Sequence, residues 1–373
     1  MPVPFNDLRR AIGTMEPELE DALRRILKSG WFVLGEALAQ FESAFAAHCG
    51  VSDCVGVANG TDAIEIALRA LGVVPGDRVV CVANAGFYAS TAVLAIGAQP
   101  TFVDIDPKTL LLDTDQALAA LAGRPKALVV THLFGRLAPI EALLPRAAEL
   151  GIPVVEDCAQ AHGAQRGGTR AGAFGAVGCF SFYPTKNLGA LGDGGACVTS
   201  DASLAKRIRA LRQYGWAGKY RIETAGGCNS RLDEMQAALL AVRLPMLDAN
   251  NARRREIAAR YAARIQQPAV ALPAASGSDD VAHLYVLRSA SRDRLASHLR
   301  ARGIGCDVHY PIPDHRQPAY RALFSAIALP QTERACGEVL SLPCFPELTD
   351  AEIDEVADAV NAFEPATAEP AST

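Results

Sequence analysis

Between Ala171 and Gly192 the sequence carries a single formally charged side chain, Lys186, within the stretch SFYPTKNLGALGDGG. Only six lysines stand among the 36 Lys plus Arg, so basic positions in this chain usually go to arginine and Lys186 departs from that habit. Arginine stays protonated, whereas a desolvated lysine can give up its proton and attack a carbonyl as a free amine. Taken alone, a lysine on a solvated loop is the commoner case. Other residues have to decide between the two.

Two further stretches bear on that choice. In CVGVANGTDAIEIALRAL a short apolar strand leads through Asn59 and Gly60 into a helix whose apolar face is Ile64, Ala67, Leu68 and Leu71. Thr61 or Asp62 would cap it, and free amide groups at such a start, with the positive end of the helix dipole, make a seat for a phosphate that Gly60 lets approach closely. An ordinary capped helix, with Glu65 three residues after Asp62, is the competing reading. In IPVVEDCAQAHGA a strand ends in two adjacent acids, Glu156 and Asp157, which strand alternation sends to opposite sides. Ligands of doubly wound sheets collect at the carboxyl ends of strands. An acid there suits a cationic partner such as a pyridinium nitrogen, which it keeps protonated and electron-accepting; a salt bridge or a cap is the plainer alternative.

Other chemistries find no support. His309 and His315 lack the close helical spacing of a zinc pair and are separated by two prolines, so no metal site is expected. His162, beside Gly163, reads as a structural histidine. GALGDGG lacks the strand-then-helix setting of a dinucleotide fingerprint, Gly218 and Lys219 are not part of a phosphate-binding loop motif, and no G-x-S-x-G elbow is present.

The elements that must hold these residues are legible as a pattern. Short, nearly unbroken apolar runs (CVGVA, DRVVCVA, QPTFVDID, KALVVTHLFG, IPVVED) alternate with helical patterns, which predicts an α/β fold with a mostly parallel sheet covered on both faces. The uncharged run from Val79 to Val103 is broken by Asn84, Gly86, Gln99 and Pro100 and reads as buried strand and helix, not a membrane span. At 373 residues two units are expected: a large one over 1–249 and a smaller α+β one over 250–373, ending in a disordered EPATAEPAST tail. A net charge of −5 with half the residues hydrophobic argues against a nucleic-acid partner. The opening MPVPFNDLRR lacks an apolar signal-peptide core, so a cytoplasmic location is expected. Ten scattered cysteines with no CxxC pair read as reduced thiols.

Phosphate seat, strand-end acid and lone lysine follow one another in an order that resembles fold-type I pyridoxal phosphate enzymes. More closely, the chain is similar to the DegT/DnrJ/StrS family of nucleotide-sugar aminotransferases. The likeness runs through PFNDLRRAI, SGWFVLGEALAQFESAFA, NGTDAIEIAL, DIDP, VTHLFGR, EDCAQAHGA, SFYPTKNLGALGDGG, NSRLDEMQAALL and HYPIPDHRQPAY.

The resemblance implies roles for particular residues. Lys186 stands at the family's Schiff-base lysine, Asp157 at the acid on the pyridine nitrogen and Gln160 at the amide near the ring hydroxyl. Gly60, Thr61 and Ser181 match the phosphate cradle, and Asn229 matches a residue that reaches the phosphate from a neighbouring subunit, which implies a homodimer with shared sites. The ring-stacking aromatic falls in AGFYAS, at Phe87, with Tyr88 as the alternative. Tyr183, Lys219, Tyr220, His309 and Tyr310 match substrate-binding positions. The implied cofactor is pyridoxal 5'-phosphate, passing through pyridoxamine phosphate. The implied reaction moves an amino group from glutamate to a nucleotide-linked keto-sugar, with dTDP-3-keto-6-deoxyhexoses favoured over 4-keto sugars or cyclitol ketones. Family members that carry histidine in place of the lysine are dehydratases, so Lys186 argues for transamination. A dehydratase and a non-catalytic regulatory homologue are the readings it must beat.

Overall fold

The computed structural model describes residues 2–365, so positions 366–373 of the tail expected to be disordered lie outside the described residues. Seven strands form the central sheet: β1 (Asp53–Val57), β2 (Arg78–Val82), β3 (Gln99–Val103), β4 (Ala127–Thr131), β5 (Val154–Asp157), β6 (Val177–Ser181) and β7 (Gly195–Thr199). Their order is β1-β7-β6-β5-β4-β2-β3. Strands β2 to β6 pair in parallel, and β7 runs against both its neighbours, so that β1 points the same way as the parallel set. This is the α/β architecture that the alternation of apolar runs and helices predicts.

The continuous apolar strands are explained by burial on two faces. Ala127 and Val129 of β4 pack into a core shared with Ile64, Ile66 and Leu68 of the Gly60–Ala70 helix. Their neighbours Leu128 and Val130 enter a second core on the opposite face, with Leu121, Leu143 and Val154. Each side chain so covered contributes on the order of 1.5–3 kcal/mol, which leaves no solvated face for polar alternation. The run from Val79 to Val103 resolves into β2, the Tyr88–Ala95 helix and β3. No helix among the described residues is long and apolar enough to cross a membrane. All ten cysteines are free, nine of them buried.

Two N-terminal helices, Glu16–Ser29 and Glu36–Cys49, pack on the Glu234–Arg243 helix. Glu234, 2% exposed, accepts from the backbone N–H of Gly35 (2.8 Å), Ala37 (2.9 Å) and Leu38 (3.2 Å). A carboxylate thus occupies the positive end of the Glu36–Cys49 helix.

C-terminal to this layer, the antiparallel pair Tyr285–Arg288 and Val339–Leu342 packs with the Arg292–Ala301 and Asp350–Asn361 helices around Leu287, Leu295, Leu340 and Val356. The Leu247–Arg264 helix straddles the two cores: Leu247 belongs to the first layer, Ile257 and Tyr261 to the second. Tyr261 donates its hydroxyl to the Pro343 carbonyl at 2.9 Å.

The two acids ending β5 part company as alternation requires. Glu156, fully buried, accepts from the N–H groups of Gly172 (2.9 Å), Phe174 (2.8 Å) and Gly175 (2.7 Å) and from His132 Nε2 (3.0 Å). It secures the loop that leads into β6 and therefore lies upstream of Lys186. Replacing it with alanine strands one buried and two half-buried amide donors together with the buried His132, and a loss of about 3–5 kcal/mol is expected. Urea unfolding of Glu156→Ala, against a Glu156→Gln variant that keeps part of the set, measures this; equal midpoints for wild type and Ala would refute the assignment.

Candidate active site

Lys186 is positioned by the same alternation in β6. Val177 and Cys179 face the core under the Gly60–Ala70 helix, while Phe180 and Phe182 turn to the other side. There Phe45 meets both edge-on, with ring centroids at 5.0 and 5.2 Å. These aromatic contacts fix the strand end. Beyond it the chain turns tightly: Phe182 N donates to Gly194 O (2.7 Å), Ala190 N to Phe182 O (2.7 Å) and Lys186 N to Tyr183 O (2.8 Å). The turn delivers the Lys186 side chain to a cavity of about 680 Å³ at the carboxyl ends of the strands. Burial lowers its pKa from 10.5 to about 8, against the pull of Asp157.

Asp157 lines the same cavity and is 6% exposed. It accepts from Ala159 N at 3.2 Å and Thr131 Oγ1 at 3.3 Å. Burial raises its pKa; the Ala159 N–H and the Lys186 charge act in the opposite sense. A buried carboxylate with only two long hydrogen bonds retains capacity for a cationic partner.

The third component starts the Gly60–Ala70 helix. Its cap is Asn59, in extended conformation, whose Oδ1 accepts from Asp62 N at 2.9 Å. This corrects the expectation that Thr61 or Asp62 would cap: the cap lies two residues before Thr61 and three before Asp62, and Glu65 binds Arg69 Nε at 2.8 Å instead of closing a capping box. The shift leaves the first-turn amides of Gly60 and Thr61 facing the cavity beside Ser181. A Cβ on Gly60 would stand 2.6 Å from the Ser181 Cβ, so glycine is required for this approach. Backbone amides, two hydroxyls and a helix dipole form a donor set suited to a phosphate.

Around this centre Gln160 Oε1 accepts from Phe134 N (2.6 Å) and its Nε2 donates to the Tyr310 hydroxyl (3.0 Å). Tyr183, His309 and Tyr310 also line the cavity, and His309 contacts Ser341 Oγ at 2.9 Å. The aromatic position needs a correction. Phe87 has φ 71°, its N–H is bound by Asp314 Oδ1 at 3.0 Å, and its ring stacks on Tyr320 at 4.8 Å, off the cavity. Tyr88 is the residue that lines it.

Three expected residues are not brought to this chain's own cavity. Lys219 and Tyr220 occupy an exposed hairpin formed by Trp216–Gly218 and Arg221–Ile222, with the Lys219 ammonium 5.2 Å from the Tyr220 ring centroid. Asn229 is exposed, bridging to Gln213 at the base of the same excursion. A local sequence motif does not fix how far a hairpin projects.

Sequence reasoning missed other lining residues: Asn59, Thr131, His132, Arg254 and His283. The signal for Asn59 was present in its cap-forming type. Arg254, one of three consecutive arginines, offered none. His132, Glu156 and Cys158 bring potential metal-ligand atoms within 4.8 Å of one another. His132 Nδ1 accepts from Ala138 N at 3.0 Å, which puts the ring proton on Nε2 toward Glu156, so both nitrogens are engaged in hydrogen bonds.

The model of the DegT/DnrJ/EryC1/StrS aminotransferase family matches residues 14–361. The dTDP-3-amino-3,4,6-trideoxy-alpha-D-glucose transaminase of Streptomyces venezuelae is 45% identical over 361 residues, 96% of this chain and 95% of that protein. The crystal structure of S. venezuelae DesV in complex with a ketimine intermediate superposes with a TM-score of 0.93 at 44% identity, covering 96% of this chain and 98% of that one. NtdA from Bacillus subtilis with bound cofactor PMP has a TM-score of 0.90 at 31% identity, covering 96% of this chain and 84% of that one. With the family's pattern spanning most of its length and a near-full-length relative at this identity, the chain belongs to the DegT/DnrJ/EryC1/StrS aminotransferase family.

Proposed function

We propose that this protein is a pyridoxal phosphate-dependent aminotransferase that moves the amino group of glutamate onto a nucleotide-linked keto-deoxysugar, at C3 of a dTDP-3-keto-6-deoxyhexose. The observation that carries this reading is a lysine with a lowered pKa sharing one cavity with a buried acid and a helix-start donor set. The cavity suits the cofactor. Gly60, Thr61 and Ser181 would hold its phosphate, Asp157 its ring nitrogen, Gln160 its ring hydroxyl and Tyr88 a ring face. When bound, pyridoxal phosphate supplies a carbonyl that carries the migrating amine and a ring that takes up electrons.

The chain's own part is binding and proton movement. Lys186 Nζ, a neutral amine, would hold the cofactor covalently and, as a free base in the same cavity, would move the proton at the donor Cα. Asp157 stays ionised beside a cation despite its burial. Tyr183, His309 and Tyr310 would contact the sugar. Asn229, Lys219 and Tyr220 are assigned to the neighbouring site of a homodimer, a reading supported by their exposed hairpin and loop, and cytoplasmic location goes with such soluble substrates.

Incubating the purified protein with glutamate, pyridoxal phosphate and a panel of dTDP- and UDP-linked 3-keto and 4-keto sugars, with mass detection, tests the reading. Aminated dTDP-3-keto-6-deoxyhexose is expected; consumption of keto-sugar without glutamate demand would instead establish a dehydratase. The aromatic assignment has its own test. Tyr88→Ala should weaken cofactor binding about tenfold, the scale of one lost stacking contact, whereas Phe87→Ala should leave it within about twofold; the reverse pattern in a cofactor titration would restore Phe87.

A further inference from the structure

Arg254 lines the cavity with only 5% of its surface exposed. Its Nη1 donates to the carbonyl of His283 at 3.3 Å and to that of Cys344. Nε is buried without a partner, and Nη2 makes no hydrogen bond among the described residues. No carboxylate pairs with the guanidinium among the described residues; Glu347 acts on it only through space. Removing a guanidinium from water costs several kcal/mol unless an anion and further hydrogen bonds compensate it, and here two carbonyls serve one nitrogen only. The free Nε–Nη2 edge has the spacing that receives both oxygens of one carboxylate.

His283 adds a second, independent feature. Asn187 Nδ2 donates to Asn251 Oδ1 (2.8 Å) and to Val281 O (3.2 Å), so Asn187 Oδ1 is the atom facing His283 Nδ1 at 2.8 Å. Nδ1 therefore carries the ring proton and Nε2 a bare lone pair, on a ring that lines the cavity. Burial and the positive charges of Lys186 and Arg254 hold the ring neutral. A fixed cation beside a fixed hydrogen-bond acceptor complements a carboxylate beside an ammonium.

We propose that Arg254 anchors the carboxylate of the amino-acid donor, with His283 Nε2 accepting from its ammonium group, making this pair the donor-specificity subsite. The inference rests on the aminotransferase reading and adds the residues that select an α-amino acid. A nucleoside diphosphate is the other anion of the reaction. It is bulky and multiply charged, and one buried guanidinium edge does not offer it enough donors.

The two half-reactions separate these possibilities. Cofactor-loaded Arg254→Met and Arg254→Lys are mixed with L-glutamate, or with the nucleotide-linked amino-sugar, and the cofactor's absorbance change is followed. The glutamate concentration giving half-maximal rate should rise about 100-fold in Arg254→Met and less in Arg254→Lys, as expected for loss of a bidentate charge-assisted pair, while the amino-sugar side stays within about twofold. Glutarate, which has carboxylates but no amine, should compete with glutamate in wild type and compete more weakly in Arg254→Lys. This competition carries the test if the Met variant does not fold. Equal losses on both sides, a loss on the amino-sugar side alone, or unchanged glutamate dependence would each overturn the assignment. A wild-type enzyme that responds to neither partner would overturn the aminotransferase reading itself, and the subsite with it.

Discussion

Lys186→Ala is expected to remove the visible band of covalently held cofactor and to lower amine transfer by about 10³-fold or more, since one substitution deletes both the anchor and the proton carrier. Cofactor should still bind noncovalently, because the proposed phosphate seat at Gly60, Thr61 and Ser181 is untouched. Absorbance spectra of the reconstituted variant and mass detection of aminated sugar are the measurements; turnover within tenfold of wild type would end the assignment. The lowered pKa adds a pH signature. Only the neutral amine attacks, so capture of the cofactor by the cofactor-free protein should accelerate about tenfold from pH 6 to 7 and level off above the pKa of about 8.

The same pKa fixes the sign of a stability effect. Between about 8 and 10.5 the unfolded chain holds the lysine proton and the folded chain does not, so stability rises with pH across that window. The buried amine therefore destabilises the cofactor-free fold in full below pH 8, and Lys186→Ala should be at least as stable as wild type at pH 7. Its advantage should shrink as pH climbs toward 10.5. A variant less stable than wild type at pH 7 would show that Lys186 packs for structure. Alanine here exchanges function for stability.

Asp157→Asn preserves shape and removes charge, and a fall in turnover of about 10²–10³-fold is expected, because an amide cannot hold a proton on the cofactor ring nitrogen. Covalent capture through Lys186 should persist, which distinguishes this variant from Lys186→Ala. Stability should change little, within about 1 kcal/mol, because burial already raises the Asp157 pKa and the carboxylate has only Ala159 N and Thr131 Oγ1 as hydrogen-bond partners. Rate and spectrum measured side by side decide the matter: turnover retained within a few-fold would remove Asp157 from the ring nitrogen.

Much of the fold was written locally. Continuous apolar runs of four to five residues forced strands covered on both faces, and the alternation at Glu156 and Asp157 correctly sent one acid to the loop before β6 and the other to the cavity. Lys186 stood out because its neighbours in sequence carry almost no charge. Side-chain type and strand period determined these features without reference to distant residues.

Where distant segments meet, the chain pattern ran out. Phe87 and Tyr88 are adjacent and both aromatic, and the distant Asp314 carboxylate and Tyr320 ring hold Phe87 off the cavity while Tyr88 lines it. The excursion carrying Lys219, Tyr220 and Asn229 is placed by packing that no motif encodes. Arg254 is one arginine of three in a row until Cys344 and His283 close over it. The sequence by itself determined which residues carry reactive groups and which strand ends present them. Tertiary structure decided which charges are left uncompensated, because desolvation depends on every segment that packs around a group and is a property of no single stretch of chain.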